Sequence, residues 1–125
     1  MTVLSMYKSF RTQFPKITKK ADVEHIRLWG EVNPECAYSW FGSLANVLNY
    51  EMVVSSAEND YKSLFEFFRS SYLNGESEVR DCIDVSFVEN LFFNVPVEKV
   101  APFWDTFPDV LKQLYVRFHG RKPTY

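Results

Sequence analysis

Histidine and cysteine are the scarcest useful residues in this 125-residue chain, with two of each, and glycine is hardly commoner, with four. Each shortage excludes a class of function. Cys36 and Cys82 form no Cys-x-x-Cys unit, and His25 and His119 supply no second imidazole at ligand spacing, so no metal set can be read. Reduced cysteines are expected, with Cys82 acting as a small core hydrophobe. Four glycines and six prolines argue against a loop-rich or disordered chain. No phosphate loop, dinucleotide fingerprint or nucleophile elbow is present, and no cofactor is expected. No apolar run approaches the roughly 18 residues needed to cross a membrane, and the N-terminus has no unbroken apolar stretch before a small-residue cleavage site. The expectation is a cytoplasmic protein that engages no membrane.

Aromatic residues are plentiful instead: 12 Phe, 7 Tyr and 3 Trp, or 18% of the chain. Some must be core, and others are free to serve a partner surface. Charge is unevenly spread. Residues 1–28 hold six Lys/Arg against two Asp/Glu, residues 29–110 hold four against fourteen, and residues 111–125 hold four against none. The acidic middle would attract a basic partner and repel nucleic acid.

Every strong periodicity is near 3.6 residues, which predicts an all-α fold. Val3, Met6, Tyr7, Phe10 and Phe14 mark a first helix, ended by Pro15, which suits the first turn of the next. That second helix carries Ile17, Ala21, Val23, Ile26, Leu28 and Trp29 and stops at Gly30. Residues 35–52 form a third, with Ala37, Phe41, Leu44, Ala45, Leu48 and Met52 on one face. Ser55-Ser56-Ala57-Glu58 has the form of a capping box for a fourth, which runs to about Leu73 and is closed by Asn74-Gly75 in the left-handed conformation. Residues 75–93 read as a central helix around which the chain is organised. Residues 97–107 form a short helix containing Pro102, and Pro108 opens a last one that stops at Gly120. The architecture expected is a single compact domain over residues 1–120, an irregular antiparallel bundle of six or seven short helices, with a basic tail at 121–125.

Within the central segment, Glu78, Asp81 and Asp84 recur at i, i+3 and i+6, an acidic stripe on one side of the helix. Three carboxylates in series do not surround an ion, so the stripe suits a basic protein surface better than a metal. Glu31 and Glu35 lie close in sequence to Trp40, which sits off the main face of its helix. An aromatic beside acids is a fit composition for a contact with a basic partner. Ser86 has no base nearby in sequence, and the carboxylates look solvated, so no enzyme is expected.

Leu73-Asn74-Gly75-Glu76-Ser77-Glu78-Val79-Arg80, with Val85-Ser86-Phe87-Val88-Glu89-Asn90-Leu91, resembles a small all-helical bacterial family of uncharacterised domains. The Phe-Pro helix and the Trp40 to Leu44 run Trp-Phe-Gly-x-Leu share the resemblance, which covers about residues 7–92. Small helical proteins of this kind often serve as immunity proteins for polymorphic or contact-dependent toxins. The resemblance thus implies an antitoxin that binds a cognate, basic protein toxin by occlusion, with Glu31, Glu35, Trp40, Glu78, Asp81 and Asp84 as contact candidates. The alternatives are a helical adaptor in another bacterial complex and a small enzyme with an unrecognised site.

Overall fold

A computed structural model of the protein describes residues 1–55 and 60–123. Among these the chain forms seven α-helices and no strand, a compact all-α fold as the periodicity implies. The helices are α1 (Val3–Gln13), α2 (Pro15–Trp29), α3 (Ala37–Ser55), α4 (Lys62–Asn74), α5 (Ser77–Asp81), α6 (Val97–Thr106) and α7 (Asp109–His119). Several ends have local causes visible in the sequence. Thr2 Oγ1 accepts the Ser5 N–H at 3.0 Å, and Ser5 Oγ accepts the Thr2 N–H at 2.8 Å. Pro15 opens α2 with a φ already suited to a helix. Gly30 and Gly120 close α2 and α7 with φ of 87° and 80°, where a side chain would be strained.

Other boundaries move. Val53 and Val54 remain helical, so α3 is longer than the apolar pattern implies. Of the Ser55–Glu58 capping box, Ser55 is the last residue of α3, and residues 56–58 lie outside the described residues. Gly75 is not left-handed, with φ −84°. Its role is space: a Cβ there would stand 2.6 Å from the Ser71 carbonyl oxygen and 2.6 Å from Val79 Cγ1.

The largest departure is in residues 75–93, which do not form one α-helix. α5 lasts five residues and passes into π-helical turns over Cys82–Val88, where the Glu89 N–H reaches back five residues to the Asp84 carbonyl at 3.0 Å. A turn follows in which Phe92 (φ 69°) and Asn94 (φ 56°) are left-handed. For a residue as bulky as phenylalanine that conformation costs on the order of 1–3 kcal/mol and persists only where surroundings hold it. Asn49 of α3 does the holding. Its Oδ1 accepts the Phe92 N–H at 2.7 Å, and its Nδ2 donates to the Asn90 carbonyl at 2.8 Å. The Phe92 ring is fully buried against Trp104, Phe107 and Tyr115. A run apolar on nearly all sides fits 3.6 or 4.4 residues per turn equally well, so periodicity could not separate the two.

The hub of the fold is α3, which packs against α1, α2, the π-helical segment and α6. One contiguous core runs from Met6 to Tyr115. It absorbs most of the aromatic surplus: Phe10, Trp40, Phe41 and Phe68 meet largely edge to face, and Phe68 stacks on Phe87 at 4.0 Å between centroids. Cys82 lies in this core, where burial pushes its thiol up to about 12.

Candidate functional site

A surface helix normally buries its apolar side. α2 does the reverse over much of its length. Its buried residues are Thr18, Ala21 and His25, while Val23 is 71% exposed and Trp29 62%, with Ile26 and Leu28 also exposed. The inward histidine is satisfied: Nδ1 lies 2.8 Å from Ser43 Oγ of α3. Burial pulls the imidazole below its ordinary pKa, and the Asp22 charge opposes that only in part. Polar groups therefore fix α2 to α3, and apolar side chains are left facing solvent. Val23, Ile26, Leu28 and Trp29 thus keep much of their apolar surface in solvent.

Two grooves flank this surface. The larger, about 670 Å³, runs between α2 and α3 with Val23, Val47, Tyr50 and Val54 contributing its apolar lining. Its rims are ion pairs, Lys20–Glu51 at 2.5 Å and Arg27–Glu24 at 2.8 Å. The second, about 310 Å³, lies where the end of α2 meets α3 and the π-helical segment. Leu28, Trp29, Tyr38 and Val85 line it, with Gly42 and Ser86 where the two backbones come close. Asn46 lines both grooves, so they adjoin at that residue.

A family model describing a domain of unknown function, DUF7674, matches residues 7–120, from within α1 to the end of the last helix. The chain belongs to this family. The match takes in residues 93–120, the aromatic end that the resemblance to residues 7–92 leaves out. No curated protein and no solved structure matches.

Of the six contact candidates in this DUF7674 domain, Trp40 is the one the structure corrects. It is 1% exposed, packed edge-on against Tyr7 and Phe41, and its indole N–H donates to Asp22 Oδ1 at 2.9 Å. The reason is that α3 is covered on more than one side, so lying off its main apolar face does not put a residue in solvent. Trp29, two residues before Glu31, is exposed instead. Glu31 and Glu35 are exposed in the α2–α3 connection, and Glu35 lies one turn before Tyr38.

The acidic stripe does not act as a unit. Glu78 turns to α1, where Oε1 accepts the Val3 N–H at 3.2 Å, a favourable place for a carboxylate at a helix start. Asp84 pairs with Arg117 of α7 at 3.0 Å. Asp81 is exposed, and its carbonyl accepts the Tyr38 hydroxyl at 3.2 Å. The π-helical turns that begin at Cys82 break the α-helical spacing on which the stripe depends. Glu89, which the stripe does not include, joins the group near Tyr38; burial and then the Asp84 charge raise its carboxyl above the ordinary value.

Ser43 and His25 form a nucleophile–base pair, and among the described residues no carboxylate is hydrogen-bonded to the imidazole. The nearby Asp22 gives both oxygens to Arg11, and one also to Trp40. Among the described residues, no group of three or more His, Cys, Asp or Glu side chains could hold a metal ion, and no helix is long and apolar enough to cross a membrane.

Proposed function

We propose that this DUF7674 domain is a cytoplasmic immunity protein that binds a cognate protein toxin and blocks it by occlusion. The observation that carries the reading is the inverted polarity of α2, which buries Thr18 and His25 and leaves Val23, Ile26, Leu28 and Trp29 exposed, with Val23 lining a groove together with Tyr50 and Val54 of α3. Such an apolar surface, bounded by charged side chains already paired within the domain, has the core-and-rim anatomy of a protein interface. Occlusion asks nothing of the domain beyond affinity and shape, in keeping with a site built from packing residues.

The test is co-expression with the protein encoded beside it in the native genome. Growth arrest by that neighbour, relieved by this chain, together with a single complex on size exclusion, is the expected result. Val23→Asp and Tyr50→Asp should each weaken the complex about tenfold or more while leaving the melt unchanged, because both residues are already exposed. A neighbour that binds without being inhibited would assign the domain as an adaptor, and a harmless, unbound neighbour would overturn the immunity reading.

A further inference from the structure

We infer that the smaller groove, between the end of α2, α3 and the π-helical segment, is a socket for an arginine side chain on the basic surface of a protein partner. The inference rests on the domain being a protein-binding one and names the chemistry of what it binds.

The shape comes first. A groove of about 310 Å³ suits one long side chain rather than a helix. Trp29 and Tyr38 both line it and both remain exposed. Ser39, Asn46 and Asn90, whose side chains carry hydroxyl and amide oxygens, also line it. A planar guanidinium with five N–H donors stacks on aromatic faces and bonds to such oxygens at the same time, which a lysine ammonium does less well.

Charge then selects a cation. Burial first, then Cys82, and then Asp81, Glu89 and Asp84 raise the pKa of the Tyr38 phenol, so all three carboxylates act electrostatically at the groove's edge. Glu31 and Glu35 add two exposed carboxylates in the connection that leads from Trp29 to Tyr38. Against these, the cation paired here is Arg117, which is committed to Asp84. Among the described residues Glu31, Glu35, Asp81 and Glu89 have no salt-bridge partner. The groove itself is lined by aromatic and neutral polar residues, and the under-neutralised carboxylates sit in the segments that adjoin it, Glu89 next to Asn90 and Glu31 two residues after Trp29. Nucleic acid would meet the same carboxylates as repulsion.

The test is an NMR titration of the ¹⁵N-labelled protein with the pentapeptide acetyl-Gly-Gly-Arg-Gly-Gly-amide and with versions carrying lysine or citrulline in place of arginine. Saturable shifts are expected at the Trp29 indole and at the Gly42 and Ser86 amides, about fivefold weaker with lysine and absent with the isosteric, uncharged citrulline. Trp29→Ala and the double change Asp81→Asn, Glu89→Gln should each weaken arginine-peptide binding about fivefold and leave the melting temperature unchanged. Equal binding of the citrulline peptide, or shifts confined to other surfaces, would overturn the socket. Binding of free L-arginine as tight as that of the peptide would overturn the protein partner in favour of a small ligand. If the neighbouring protein forms no complex while the arginine peptide binds, the immunity reading falls and the socket stands. If the complex forms and Trp29→Ala leaves its affinity unaltered, the socket falls and the immunity reading stands.

Discussion

Replacing Asp22 by alanine tests how the first three helices are held together. Arg11 of α1 donates through Nη1 and Nη2 to the two Asp22 oxygens at 2.7 and 2.8 Å, and the Trp40 indole of α3 donates to one of them at 2.9 Å. The substitution causes two losses of different kinds. The ion pair is partly open to solvent, with side-chain exposures of 32% and 22%, so its contribution is about 1 kcal/mol. The Trp40 N–H is buried and would be left without a partner, at about 1–3 kcal/mol. The sum is about 2–4 kcal/mol, a fall in melting temperature on the order of 10 °C for a chain of this length. Urea unfolding followed by far-UV circular dichroism measures it. The companion variant is Trp40→Phe, which keeps a ring and removes the N–H. In that background Asp22→Ala should cost only about 1 kcal/mol, and the gap is the penalty of the orphaned indole. Equal costs in the two backgrounds, or a cost under about 0.5 kcal/mol in the native one, would refute this account of the junction.

His25 resists protonation in the folded state, because burial lowers its pKa, whereas the unfolded chain takes up the proton near about pH 6.5. Its contribution to stability is therefore full above that pH and declines below it, by at most about 1.4 kcal/mol per pH unit; urea midpoints between about pH 7.5 and 5 should show the decline, and His25→Asn should flatten it. An unaltered slope in that variant would assign the linkage to another group. Gly75→Ala should cost about 2 kcal/mol or more, since the Ser71 carbonyl in its way is backbone and cannot swing aside. Gly42→Ala, whose new methyl would meet Ser86 at an ordinary 3.4 Å, should stay within about 1 kcal/mol of the native protein. The two thermal melts decide the ranking, and a reversal would show that Gly75 is not required for room.

What could be read from the sequence follows from where each signal is written. The α1–α2 break at Pro15 and the stops at Gly30 and Gly120 are properties of single residues, and they stand in the structure. Cys82, Ile83 and Phe87 were legible as core because they are apolar among apolar neighbours. The π-helical turns were not, since a segment buried on nearly all sides carries no phase to measure. Trp40 is buried and Trp29 exposed for a related reason. Helical spacing locates a face but not how many faces the rest of the chain will cover, and α3 is covered by four elements. The inversion of α2 had one trace in the sequence: His25 falls one helical turn after Ala21 and seven residues after Thr18, a line of small or polar residues that reads as a solvated face. Only the Ser43 hydroxyl 2.8 Å away shows why that line turns inward.

The Asn49 clamp makes one position unusually literate. Its carboxamide accepts from Phe92 and donates to Asn90 in opposite directions, so the left-handed turn is held by a group that must be donor and acceptor at once. Aspartate is isosteric but would set a second oxygen against the Asn90 carbonyl; leucine has the volume and neither polar function; glutamine has the amide one methylene too far out. Of the twenty residues only asparagine spells both halves of this contact at this length. In any library that randomises α3 and is selected for folding alone, position 49 is where the alphabet should collapse to a single letter, while its exposed neighbour Tyr50, held only by what binding asks of it, varies.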